Sequence, residues 1–255
     1  MTRQELKQTP EEGDYSRYWR PDIIVVLSIL IVGSLLCRVF FLDKTVAEWF
    51  YHPMGLSAAW PYGRLQPWRF LNSADKLLTL LLSAIALGAL AISFLKSGAR
   101  LWRRRAVFII VSMLIGPGLI VNICLKDHWG RPRPEQVKEF GGRLDFKPLL
   151  VRGTGGQGHS FPSGHASIAY EFLVFFFIWR RRRPWALAAL TGGLGLGLMM
   201  SVARMAAGAH FLSDVLWSGG ITFIVSWVLY YFVFRIPEHE DRQFQVSAPR
   251  TPCCT

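Results

Sequence analysis

The amino-acid sequence predicts an all-α integral membrane protein, a bundle of about six transmembrane helices with its reactive residues on the outer face. Three observations lead there. Of the 255 residues, 51% are hydrophobic, ten are Trp and eighteen are Phe, and the mean hydropathy is +0.28. That is too apolar and too aromatic for an ordinary soluble domain. The apolar residues fall into runs close to the ~20 residues that cross a bilayer core as helix. Lys and Arg are gathered into short blocks between those runs, the pattern that sets orientation in a membrane. The formal net charge of +12 would suggest nucleic acid if it lined one soluble face, which it does not, so no nucleic acid partner is expected and anionic lipid is the natural one.

Each element follows in order. Residues 1–21 are polar and charged, with no apolar stretch or small-residue cleavage site of the kind a removable signal peptide carries. Apolar runs then occupy 22–42, 76–95, 106–125, 166–179, 185–202 and 214–234. The fourth is the shortest; helix beginning near Ser163 and continuing into Arg180 would restore a spanning length. Residues 22–235 thus read as one membrane unit, flanked by an N-terminal tail (1–21) and a C-terminal tail (236–255). Basic residues in both tails, in the 96–105 connection and in the 180–183 run fall on one side of an even-numbered bundle, which predicts that side to be cytoplasmic. The protein is then a multi-pass inner-membrane protein with Gly155, in the long 126–165 connection, outside.

The first outer connection, 43–75, holds Trp49, Phe50, Tyr51, Trp60, Tyr62 and Trp68. Such residues settle at headgroup depth, either bordering a lipid entrance or anchoring neighbouring spans. Cys37 and Cys124 lie in apolar runs and Cys253 and Cys254 end the C-terminal tail, so no disulfide framework is implied. Acylation of the terminal pair stays open beside a plain unstructured tail. Glu171 lies inside the fourth run, where a carboxylate needs a partner. A charged neighbour on another helix and a supporting role at the site are both open. Arg38, near the end of the first run, is expected to snorkel.

Three short stretches carry the chemistry, each beside an outer span end. Lys126 opens the first, which closes on Gly130-Arg131-Pro132-Arg133-Pro134. The prolines fix the backbone around guanidinium groups that can clamp phosphate oxygens, and Arg133 is the ligand chosen. Arg131 and His128 could equally be solvated or supporting residues. The second, Pro162-Ser163-Gly164-His165, should start the fourth helix. Free backbone N–H groups bind anions there, Gly164 permits close approach, and Ser163 can cap the helix, donate to the ligand, or both. His165 is the candidate acid. In the third, Arg204 is followed by His210 and Asp214. The one-turn spacing of His210 and Asp214 lets the carboxylate hold the imidazole tautomer and favour the imidazolium formed during attack. An ordinary charge pair at a helix start would show the same spacing. The run from Gly153 to Gly158 lacks the Gly-Lys-Ser/Thr ending of a phosphate loop and reads as a spacer. The six His show no zinc spacing, so neither metal nor cofactor is expected.

With these stretches, the chain resembles the type 2 phosphatidic acid phosphatase family, whose signature is K-x6-R-P, P-S-G-H and S-R-x5-H-x3-D. The first two match at Lys126 through Pro134 and Pro162 through His165; the third matches at Arg204, His210 and Asp214. Ala203 departs from it, standing where the family usually has Ser, so that hydroxyl is lost or supplied by Ser201. The resemblance covers roughly the second half of the chain. It implies a six-helix phosphatase in which His210 attacks phosphorus and becomes phosphohistidine, Asp214 orients it and His165 protonates the leaving oxygen. Lys126, Arg133, Ser163, Gly164 and Arg204 would hold the phosphate. Residues 115–134 and 208–214 are most similar to bacterial lipid A 4′-phosphatases, which implies lipid A as substrate. Phosphatidic acid, phosphatidylglycerophosphate and polyprenyl diphosphates remain alternatives, as does transfer of phosphate to a lipid. A soluble vanadate-dependent peroxidase would share the motifs but not the repeated bilayer-length runs, and a lipid carrier would not need two histidines at phosphate motifs.

Overall fold

The structure, a computed structural model, describes residues 19–52, 59–95, 99–153 and 158–247. Gly155, Cys253, Cys254 and the basic residues Arg3, Lys7 and Arg17 of the N-terminal tail lie outside those residues. Helix α1 (Trp19–Val39) is followed by the short α2 (Leu42–Phe50) and α3 (Trp68–Asn72), then by α4 (Asp75–Leu95). Helix α5 (Arg100–Met113) continues as wider π-helical winding over Leu114–Lys126 and ends in one further turn, α6 (Asp127–Trp129). The fourth span is broken into α7 (Gly164–Tyr170), a 3-10 turn at Glu171–Leu173, and α8 (Val174–Ile178). Helices α9 (Arg183–Ala206) and α10 (Leu212–Val228) follow, and α11 (Ile236–Ser247) closes the described chain.

Five of these segments are long and apolar enough to cross a bilayer, and the sixth, Gly164–Ile178, is shorter. Their outer surfaces suit lipid: Ile24, Ile31, Leu80 and Leu95 are each more than half exposed. In water such rows would be a liability, whereas hydrocarbon solvates them and leaves the backbone bonds satisfied within each helix. The interior is aromatic, with Phe177 packed on Tyr230 at 5.2 Å and Phe108 on Tyr230 at 5.8 Å between ring centroids. Inside the third span, Pro117 can donate no backbone N–H, and the winding widens around it. The Asn122 amide donates to the Pro117 carbonyl at 2.7 Å, a side-chain bond within this winding.

Three expectations change. The basic block before the third span is not a loop, because Arg100 already starts helix and the long arginines find partners along it. Arg103 lies over the Phe94 ring at 4.1 Å, and Arg105 donates to Glu240 at 2.6 Å. The fourth span stops at Ile178 instead of reaching Arg180; at ~1.5 Å per residue it is only about 22 Å long. Lastly, residues 236–247 form a helix drawn back onto the bundle, as Glu240 joins Arg105 and, at 2.7 Å, Arg181.

The aromatic outer connection also takes a defined place. Tyr51, Trp60 and Phe140 pack with ring centroids 5.2–5.5 Å apart. Trp60 then presses on the turn between α9 and α10. Gly208 there has φ +66°, and a Cβ on it would lie 2.4 Å from the indole. Only glycine accepts both the backbone angle and that approach. The connection therefore braces the turn that carries His210, a role neither sequence reading anticipated, while Trp49 stays exposed as an interfacial anchor would.

Candidate active site

Because the spans alternate in direction, the starts of α4, α7 and α10 meet the ends of the third span and of α9 at one end of the bundle. All three sequence stretches arrive there. His210 sits in the turn between α9 and α10, 2% exposed. Its Nδ1 lies 2.6 Å from the Ser160 carbonyl oxygen. A carbonyl can only accept, so Nδ1 carries the proton and Nε2 keeps its lone pair. Burial first, then the charge of Arg204, hold the imidazole well below its ordinary pKa, against the pull of the Ser160 carbonyl. His210 is therefore neutral, the form a nucleophile requires.

Asp214 stands one turn on, but its carboxylate is 4.0 Å from His210 Nδ1, beyond hydrogen-bond reach. The expectation that it holds the tautomer directly is corrected. Its Oδ2 accepts from Ser160 Oγ at 2.6 Å and from the Phe211 backbone N–H at 2.8 Å, and its Oδ1 pairs with Arg131. Asp214 therefore fixes Ser160, whose carbonyl in turn fixes His210.

His165 begins α7 and lies within 3.5 Å of Asp75, at the start of α4. The charges of Arg204, Lys126 and Arg133 act on both imidazoles. Arg204 is anchored through Nη1 to Asn72 Oδ1 at 3.1 Å, while its buried Nε has no acceptor among the described residues. A donor left so is poised for an anion. Arg133 is about one-third exposed, and its only carboxylate neighbour among the described residues is Glu135 at 3.4 Å.

Ser163 is fully buried and caps α7, its Oγ accepting from Ala166 N–H at 3.4 Å and its own N–H donating to Ser218 Oγ at 2.8 Å. The capping role is thus realised. A Cβ at Gly164 would come 2.5 Å from Asn122 Oδ1, so this glycine makes room for a side chain of the third span. Ser201 does not replace the hydroxyl lost at Ala203, because its Oγ is turned back to Gly197 O at 2.7 Å. His128 stands apart, with Nδ1 3.0 Å from Ile123 O. Glu171 is fully buried beside Gly116, and no cation pairs with it among the described residues.

Sequence reasoning missed Asp43, Asn72, Asp75 and Ser160, and left Arg131 undecided. Arg131 proves fully buried, donating to Asp43 at 2.7 Å, Ser213 Oγ at 2.8 Å and Lys147 O at 3.0 Å as well as to Asp214. The available signal was an Asp directly after an apolar run, at a depth where an unpaired charge is costly.

A helical membrane bundle that gathers two imidazoles and three cations at one end defines a class: membrane proteins with a cationic, histidine-bearing site suited to an anion. The chain belongs to the PAP2 superfamily, whose family model matches residues 105–238. It is 39% identical over 142 residues to the lipid A 4′-phosphatase of Francisella tularensis subsp. novicida (strain U112), a match covering 54% of this chain and 62% of that protein. It is 34% identical over 134 residues to the lipid A 4′-phosphatase of Rhizobium leguminosarum, covering 52% and 54% respectively. The matches therefore span little more than half the length of these relatives. Among solved structures, the PAP2 type phosphatidylglycerolphosphate phosphatase of Bacillus subtilis overlays with a TM-score of 0.44 at 16% identity, covering 90% of this chain and 98% of that one.

Proposed function

We propose that this protein is a membrane lipid phosphatase that removes a phosphomonoester from lipid A through a phosphohistidine intermediate. The observation that carries the reading is the His210 arrangement: a buried neutral imidazole with its Nδ1 proton committed to Ser160 O, beside an Arg204 whose Nε lacks an acceptor. Lys126, Arg133 and Arg204 would hold the phosphate oxygens and offset charge as it develops. His210 Nε2 attacks phosphorus, forming a P–N bond as the P–O bond to the lipid breaks, and His165 gives the leaving oxygen its proton. Water then attacks the phosphohistidine, His165 takes the water proton, and phosphate departs. The Asp75 carboxylate, 3.5 Å from His165, pairs with the imidazolium that donates the first proton and that the water proton regenerates.

Lipid A is the preferred substrate because the sequence similarity is to lipid A 4′-phosphatases and because a large anionic glycolipid suits the basic outer connection. Within that connection Lys138 is already paired with Asp145 at 2.7 Å, leaving Arg143, Lys147 and Arg152 as its basic surface. The test is phosphate release by purified protein in one detergent, offered lipid A, phosphatidic acid and a polyprenyl diphosphate, with and without excess chelator. Faster turnover of lipid A, unaffected by chelator, is expected. Equal or faster turnover of a rival would overturn the substrate assignment, and activity restored only by a divalent ion would overturn direct phosphate binding by the three cations.

A further inference from the structure

Behind His210 lies a buried ion cluster that the motifs do not announce. Asp43, in α2, accepts from Arg131 Nη2 at 2.7 Å, from the Ser213 backbone N–H at 2.8 Å and from Ser213 Oγ at 2.7 Å. Arg131 bridges to Asp214 and stacks over Phe211 at 4.7 Å from the ring centroid. Arg131 and Asp214 are fully buried, and Asp43 nearly so. The bonds run on from Asp214 to Ser160 Oγ, and from the Ser160 carbonyl to His210 Nδ1. Every link ends, within hydrogen-bond distance, on the nucleophile.

We infer that Asp43 and Arg131 are positioning residues for phosphoryl transfer, acting on His210 through Asp214 and Ser160. Two carboxylates and one guanidinium leave this cluster with one net negative charge. It reaches the imidazole from the Nδ1 side, through Asp214 and Ser160, whereas Lys126, Arg133 and Arg204 are the cations proposed to hold the phosphate. When Nε2 takes the phosphoryl group the ring becomes cationic. The Nδ1 proton then bonds more strongly to the Ser160 carbonyl, and the net negative cluster stabilises the new charge in a poorly solvated site. Asp43 also pins the first turn of α10 through Ser213, so α2 belongs to the catalytic assembly although it lies outside the stretch matched by the family model.

The inference rests on the phosphatase reading above, and its test separates the two. Asp43→Asn preserves volume and removes the charge. It should lower kcat about 10- to 100-fold, the scale of a small misplacement at a reacting centre, with KM changed less than about twofold. In single turnover the phosphorylation step should slow by the same factor. A merely structural Asp43 would lower the thermal midpoint while leaving kcat per folded molecule intact, and that result overturns the inference. Should Asp43→Asn fail to fold, Ser160→Ala cuts the link from Asp214 while keeping the carbonyl and should reduce kcat with the same split; unchanged kcat there overturns it equally. With an active wild type and an inactive His210→Ala, a full-rate Asp43→Asn refutes this inference alone. A wild type that releases no phosphate, or a fully active His210→Ala, overturns both.

Discussion

His210 is neutral because burial and Arg204 oppose its charge, and this has a consequence for pH. Its folded pKa lies below the unfolded value of about 6.5, so the unfolded chain binds more protons as pH drops. The sign is that stability is fully present above about pH 6.5 and falls below it, by at most about 1.4 kcal/mol per pH unit from this one group. Thermal midpoints in detergent at pH 7.5 and 5.5 should therefore differ less in His210→Asn than in the wild type; an equal or larger difference would show that the imidazole is charged in the fold. Residue identities of this kind were legible where local spacing encodes them: Arg204, His210 and Asp214 lie within eleven consecutive positions. Asp43 was not, since its bonds reach Ser213 across 170 positions and leave no periodic trace. The direct His210–Asp214 bond was misread for a related reason, because helical spacing brings two side chains near but does not say which acceptor the ring chooses.

At the scale of elements, the turn between α9 and α10 is the part least tolerant of change. Gly208 combines φ +66° with the Trp60 indole above it, so Gly208→Ala must strain the backbone or move the tryptophan. Activity should fall at least tenfold, and Trp60→Ala in the same chain should not restore it fully, because the backbone angle still disfavours a side chain. Full activity in Gly208→Ala, measured on folded protein, would show that the turn does not position His210. The spans themselves were readable from hydropathy to within a few residues, because lipid imposes one requirement along their whole length. Their ends were less so. Arginines beside Phe94 and Glu240 continue helix where composition alone suggested a loop, and the break at Glu171–Leu173 depends on packing against neighbouring helices.

For the whole molecule, the arrangement commits the site to one end and the Arg105–Arg181–Glu240 group to the other. With basic blocks held inside, the site should face outward. In intact cells an impermeant thiol reagent should label a cysteine placed at Lys138 and spare one placed at Arg182; the reverse pattern would invert the orientation. The bundle and the convergence of the three motifs were visible in sequence, since apolar runs and motifs at their ends fix both. The brace from α2 and the aromatic connection was not, because it arises only when segments distant in the chain fold onto the α9–α10 turn. The central claim is that phosphate passes through His210. Rapid-quench trapping with lipid A labelled at the 4′-phosphate tests it most directly: the account predicts an acid-labile, alkali-stable phosphoenzyme on His210, absent from His210→Ala and formed more slowly in His165→Ala. Label on His165, or full turnover by His210→Ala with no trapped intermediate, would contradict it.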